Sequence, residues 1–217
     1  MKMNKFTDED SFITGCITKI KSISDYYLTA KGSFNIALTG GETAQKVYEK
    51  MIDLETDWSK WYFYFGDERC VQVESSELNS RMAEDSLLNF IPVNSDQIFK
   101  IPSHLGASLG AKEYSSIVNF EYPFDLVLLG LGDDGHIASL FPGRIIDSIN
   151  PAIPVFDSPK PPKDRISLSL TRINNSDNIM IITKSKNKEK IIEDMLSGTE
   201  MPATQLCSLN EVNLFYF

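Results

Sequence analysis

The chain reads as an α/β protein built on an open, mostly parallel sheet with helices on both faces, and three features of its 217 residues say so. Short apolar, β-rich runs alternate with segments of helical character. Glycines and charged residues gather directly after those runs. Hydrophobic residues make up 42% of the chain, enough for one buried core and one domain spanning residues 1–217.

Taken in order, Phe34–Thr39 is the first strand, and Gly40-Gly41 separates it from a helix over Thr43–Ile52. Trp61–Phe65, aromatic throughout, is the second strand, with helices over Asn79–Phe90 and Ala107–Val118 behind it. Phe124–Gly130 is a near-continuous apolar strand. Arg165–Leu170 and Asn178–Thr183 are the next strands, and Asn187–Leu196 is the last helix. Ser158-Pro159-Lys160-Pro161-Pro162-Lys163 is a rigid, extended connector within the domain. Alternating strands and helices argue for parallel pairing, and such sheets bind ligands outside the carboxyl ends of their strands. The residues just after each strand are therefore the candidates for function.

Composition narrows the classes. Lys and Arg number 21 against 30 Asp and Glu, a formal charge of -9 that disfavours nucleic acid or an anionic membrane as partner. Any anionic ligand must then be held by a local cluster of cations. Cys16, Cys70 and Cys207 are odd in number and scattered, with no zinc or disulfide spacing, so no metal site is expected. No apolar run approaches membrane-spanning length and no signal-like segment follows Met1–Asp10, which predicts a soluble, cytoplasmic protein.

Three strand ends carry chemistry. Thr39-Gly40-Gly41-Glu42-Thr43 opens a helix, and its backbone N–H groups form a seat for phosphate. Gly66-Asp67-Glu68-Arg69 joins an arginine that can grip phosphate in bidentate fashion to acids that can orient it. Gly130-Leu131-Gly132-Asp133-Asp134-Gly135-His136 delivers one of only two histidines; His136 is the natural general base near neutral pH, with Asp134 close enough in sequence to orient it. Two other patterns are set aside. Gly130–Gly135 matches GxGxxG, yet Asp133 and Asp134 would oppose a pyrophosphate and Pro142-Gly143 leaves no room for the long helix of a dinucleotide site. Gly106–Gly110 matches GxSxG, yet Pro102–Leu105 separates it from any strand, so Ser108 is an ordinary helix residue, capped by Ser103.

Together these segments resemble the 6-phosphogluconolactonase family, in order from about Phe34 onward. The resemblance is carried by Leu38–Thr43, by Gly66–Arg69 with Asn79-Ser80-Arg81-Met82, by Gly132-Asp133-Asp134-Gly135-His136-Ile137-Ala138-Ser139-Leu140-Phe141-Pro142-Gly143, and by Asp157–Pro162 leading into Arg165–Leu170. It implies a Rossmann-like α/β sheet and no cofactor. It further implies a phosphorylated sugar lactone as substrate, with His136 as base, Asp134 as its neighbour, and Thr39, Gly40, Gly41 and Thr43 as the phosphate turn. Arg69, Arg165 and Lys188 match the family's phosphate cations. Glu42 stands where the family commonly has Ser, and Asn187 where a glycine usually precedes the matching lysine, which leaves Lys186 as an alternative to Lys188.

A lactone is an activated ester, so hydrolysis needs a placed water, a base and oxyanion donors, drawn from the N–H groups of Gly132–His136 or of Gly40-Gly41. The rival reading is an enzyme like the glucosamine-6-phosphate deaminases, which resemble Asp-Glu-Tyr where this chain has Asp67-Glu68-Arg69, and Phe-Asn-Glu-Pro where it has Ser139-Leu140-Phe141-Pro142.

Overall fold

The structure is a computed structural model that describes residues 1–146 and 148–217. The chain begins with strand β1 (Lys2–Lys5) and helix α1 (Glu9–Lys31), neither of which the reading of the sequence had assigned. Helix α1 has clear chemical ends: Asp8 Oδ1 accepts from the Ser11 N–H at 2.8 Å, and Gly32 closes the helix at φ +77°. Between those ends Phe12, Cys16, Ile20, Ile23 and Tyr27 are buried at helical spacing.

Next come β2 (Phe34–Leu38), α2 (Glu42–Met51), β3 (Trp61–Phe65), β4 (Asp67–Arg69), α3 (Asn79–Ser86) and α4 (Ala107–Ile117). The chain continues through β5 (Phe124–Gly130), β6 (Ala152–Val155), β7 (Arg165–Leu168), α5 (Leu170–Asn174), β8 (Ser176–Thr183), α6 (Glu189–Leu196) and β9 (Glu211–Tyr216). Among the described residues, six strands form one sheet in the order β1-β9-β8-β5-β2-β3, every neighbour parallel. Residues 124–129 of β5 are buried without alternation, because helices cover both faces of the sheet's centre.

The predicted strand over Arg165–Leu170 exists but lies elsewhere. It ends at Leu168 and belongs to a separate antiparallel sheet, β4-β7-β6. Two further boundaries moved, and one cap changed, for local reasons. Leu87, at φ -147°, stops α3 before the short turn over 88–90. Asn187, at φ +66°, cannot be helical, so α6 starts at Glu189. Gly106 at φ +80°, not Ser103, caps α4.

Strand β2 passes through α2 to β3 on one side, whereas β5 leads to β8 on the other. The crevice between the carboxyl ends of β2 and β5 is thus the point where strand order reverses. The Gly130 N–H, donating to Thr39 Oγ1 at 3.1 Å, closes its floor.

Candidate active site

A cavity of about 470 Å³ opens above that crevice. Thr39, Gly40, Gly41, Thr43, Arg69, Gly132, His136, Arg165 and Lys188 all line it, so residues spread over some 150 positions of sequence converge on one space. Asp134 stands behind the wall, in contact with His136. Ser108 and His104, from the discarded motif and its neighbourhood, are exposed and line no part of this cavity.

The His136 loop is rigid because its polar atoms are spent on itself. The Gly132 N–H donates to the His136 carbonyl at 2.8 Å, and the Gly135 N–H donates to the Gly132 carbonyl at 3.1 Å. Asp134 Oδ1 meets both His136 Nδ1 and the His136 N–H. Partial burial pushes the Asp134 carboxyl up, but the hydrogen bonds from His136, its charge and the backbone together hold it below the usual range. With Nδ1 occupied, Nε2 is the ring nitrogen that has no protein partner among the described residues. Phe141 packs beside the imidazole at a centroid separation of 4.7 Å. Two glycines are sterically required here: a Cβ on Gly132 would lie 1.9 Å from His136 Nδ1, and one on Gly135, at φ +81°, would lie 2.4 Å from Met201 Sδ.

The opposite wall is cationic. Arg69 and Arg165 are direct cross-strand partners on β4 and β7. Like charges in that register repel unless an anion lies between them. Burial, with Arg69 adding to it, lowers the Arg165 pKa despite the opposing pull of Asp67. The connector over 158–163 is not extended but turns back on itself, the Ser158 N–H donating to the Lys163 carbonyl at 2.8 Å, and it aims Arg165, whose Nε donates to the Pro162 carbonyl and whose Nη2 donates to those of Lys160 and Pro161. Arg69 Nη1 donates to the Glu77 carbonyl, while its Nε is buried with no partner among the described residues.

Lys188 reaches in from the start of α6, its ammonium donating to the Leu131 carbonyl and, at 3.1 Å, to Thr183 Oγ1. Burial lowers its pKa against the attraction of Asp133. Asn187 holds a left-handed φ of +66°, which asparagine tolerates, and Lys188 follows it into the cavity wall. Lys186 also lines the cavity, though it is exposed. At the start of α2, Gly41 at φ +102° presents N–H groups with no side-chain cap. Glu42 beside them pairs with Lys184 at 3.3 Å, which offsets the acid that the sequence raised as a departure.

Lys160 and Lys184 are cavity residues that the sequence analysis did not nominate. Lys160 sat in plain view in the connector, but a lysine among prolines carries no local sign of function. With Arg69, Arg165, Lys186 and Lys188 they make six cations against three carboxylates, Glu42, Asp67 and Asp133, inverting the chain's negative balance. Neither acid after β3 orients a ligand alone. Glu68 is buried and accepts the N–H groups of Arg69, Asn79 and Ser80, although burial raises its pKa. Asp67 accepts from Ser139 and Asn79.

An open α/β sheet with a cationic cavity at its switch point and a carboxylate-held histidine on its rim defines a protein built to bind and act on a small anion. The chain belongs to the glucosamine-6-phosphate isomerase/6-phosphogluconolactonase family, whose profile matches residues 7–214. It is 29% identical over 228 residues to the chloroplastic 6-phosphogluconolactonase 3 of Arabidopsis thaliana, an alignment covering 95% of this chain and 70% of that one. Its fold matches the crystal structure of 6-phosphogluconolactonase from Thermotoga maritima at a TM-score of 0.92 and 25% identity, over 99% of both chains. A monomeric glucosamine-6-phosphate deaminase shares the fold at a TM-score of 0.87 and 18% identity, over 100% of this chain and 97% of that one. Among the described residues no helix is long and apolar enough to cross a membrane.

Proposed function

We propose that this chain hydrolyses 6-phospho-D-glucono-1,5-lactone to 6-phosphogluconate, the lactone-opening step of the oxidative pentose phosphate pathway, with His136 as the base. Free thiols at Cys16, Cys70 and Cys207 suit the reducing cytoplasm, where we place the reaction. The observation that carries the reading is the pairing of one oriented imidazole with a cross-strand arginine clamp in a single cavity.

Asp134 holds the proton on Nδ1, so Nε2 presents its lone pair to a water. His136 takes a proton from that water as it attacks C1, and returns one to the ring oxygen as the C1–O bond breaks. Arg69, Arg165 and Lys188 hold the phosphate at the far end of the substrate. The N–H groups of Gly132, Gly135 and His136 are already used within their turn, which leaves those of Asp133 and Asp134, or the uncapped N–H groups at the start of α2, as the oxyanion donors. Deamination of an amino sugar phosphate needs a second base for a carbon-bound proton. Asp67, a carboxylate that lines the cavity, is engaged through both its oxygens.

The test is acid release from freshly prepared lactone by purified protein, with ammonia release from glucosamine 6-phosphate measured in parallel. His136→Ala is expected to lower the lactonase rate by about 10²–10⁴. Ammonia production at a rate comparable with lactone hydrolysis, and lost in His136→Ala, would overturn the assignment.

A further inference from the structure

Ser139 lies three residues beyond His136, almost fully buried, and takes no part in the chemistry above. Its hydroxyl donates to Asp67 Oδ2 at 2.6 Å, and its N–H donates to Ser167 Oγ at 3.2 Å. Asp67 and Ser167 are themselves cross-strand partners. Each stands two residues from an arginine of the clamp, Asp67 before Arg69 on β4 and Ser167 after Arg165 on β7. Residues two apart on a strand share a face, so Ser139 is bound to the same side of the ladder that carries the clamp. Arg165 Nη1 also donates to Ser139 Oγ, at 3.4 Å. On its own side Ser139 is held by the turn around it, where Ile137 and Leu140 form a bridge and Ala138 adopts φ +47°. The network continues: Asp67 Oδ1 accepts from Asn79 Nδ2, and Asn79 packs so close to Gly40 that a Cβ there would lie 1.9 Å from its Oδ1.

We infer that Ser139 is a positioning residue that fixes the separation between the base and the phosphate clamp, by fastening the His136 loop to the β4–β7 ladder. The inference rests on the roles given above to His136 and the arginines. A separation constraint matters only for a substrate gripped at both ends, so its loss should discriminate between substrates. A residue that merely stiffened the loop would show no such preference.

The experiment compares Ser139→Ala with the unaltered protein on 6-phosphogluconolactone and on unphosphorylated gluconolactone. The expected result is a fall in kcat of about 10- to 100-fold on the phosphorylated lactone, the scale of an ångström of misplacement, with less than about twofold change on the unphosphorylated one. Equal losses on both, or no loss on either, would overturn the inference. Should Ser139→Ala fail to fold, Ser167→Ala removes only one of the longer fastenings and should give the same selective pattern at smaller size; a uniform or absent loss there counts equally against it. A reading without turnover comes from hydrogen exchange. Inorganic phosphate should slow exchange of the 132–140 amides in the unaltered protein and not in Ser139→Ala, and equal slowing in both would refute the link. Unaltered protein that shows this phosphate effect but opens no lactone would refute the lactonase reading and leave the coupling standing.

Discussion

Replacing Gly132 by alanine would place a methyl carbon 1.9 Å from His136 Nδ1 and 2.1 Å from Cε1. Carbon and nitrogen need roughly 3.5 Å, so the imidazole must retreat by about 1.5 Å or rotate off Asp134. It cannot retreat freely, because Phe141 packs beside it and the Gly132 N–H ties the turn to the His136 carbonyl. Misplacement of a base by about 1 Å reduces a rate about 10²-fold, or about 2.7 kcal/mol on the barrier. Gly132 has no left-handed φ, so alanine meets no backbone strain, and its restriction of the unfolded chain, about 0.4–1 kcal/mol, works against any loss of stability. The variant should therefore unfold near the same urea concentration, lose about 10² in kcat, and keep KM within a few-fold, since the phosphate cations are untouched. Acid release in a pH-stat, beside a urea titration, measures all three. Normal kcat in a stably folded Gly132→Ala protein would refute the argument that the imidazole must stay where it is.

Arg69→Ala, Arg165→Ala or Lys188→Ala should raise KM for the phosphorylated lactone by about 10- to 100-fold, the worth of one charge-assisted contact, and barely alter hydrolysis of the unphosphorylated lactone; steady-state kinetics on both decide it. His104→Ala and Ser108→Ala should keep full activity, and complete loss in Ser108→Ala would revive a serine-esterase mechanism. Glu68→Gln turns an amide donor toward one or more of three buried backbone N–H groups and should lower unfolding stability by about 1–3 kcal/mol, read as a lower urea midpoint. Lys19, then Asn213, hold Glu211 at a pKa of about 2 against an ordinary 4.5. A depressed carboxylate stabilises above its unfolded pKa and loses that contribution as pH falls from about 4.5 through about 2. Glu211→Gln should therefore be less stable by up to about 1 kcal/mol at neutral pH, given solvent screening, and the gap should close across that window. A gap unchanged down to pH 2 would contradict the assignment.

Local chemistry wrote much of this protein directly into its sequence. Strand β3 and strand β5 lie where their aromatic and apolar runs put them, because Trp61, Phe63 and Phe65 face the core and β5 is apolar at every buried position but Asp125. The motif residues fell at strand ends for the same reason, since a parallel sheet leaves only that edge free for polar groups. Helix α1 is equally local in origin, through the Asp8 cap, the Gly32 stop and the buried stripe between them. Other features had no local signature. That Arg165 lies opposite Arg69, in an antiparallel sheet separate from the main one, depends on a pairing nearly a hundred residues apart in sequence. Lys160 and Lys184 became cavity residues only when the connector and the loop after β8 were folded over the crevice. The sequence offered Asp67 and Glu68 as equal neighbours of Arg69. Their fates diverged because successive strand residues face opposite ways, one toward Ser139 and the cavity, the other toward the unpaired N–H groups that open α3. Periodicity and residue chemistry act over a few positions and are visible along the chain; which cation meets which, and which serine fastens which loop, depends on long-range packing and exists only once the sheets have formed.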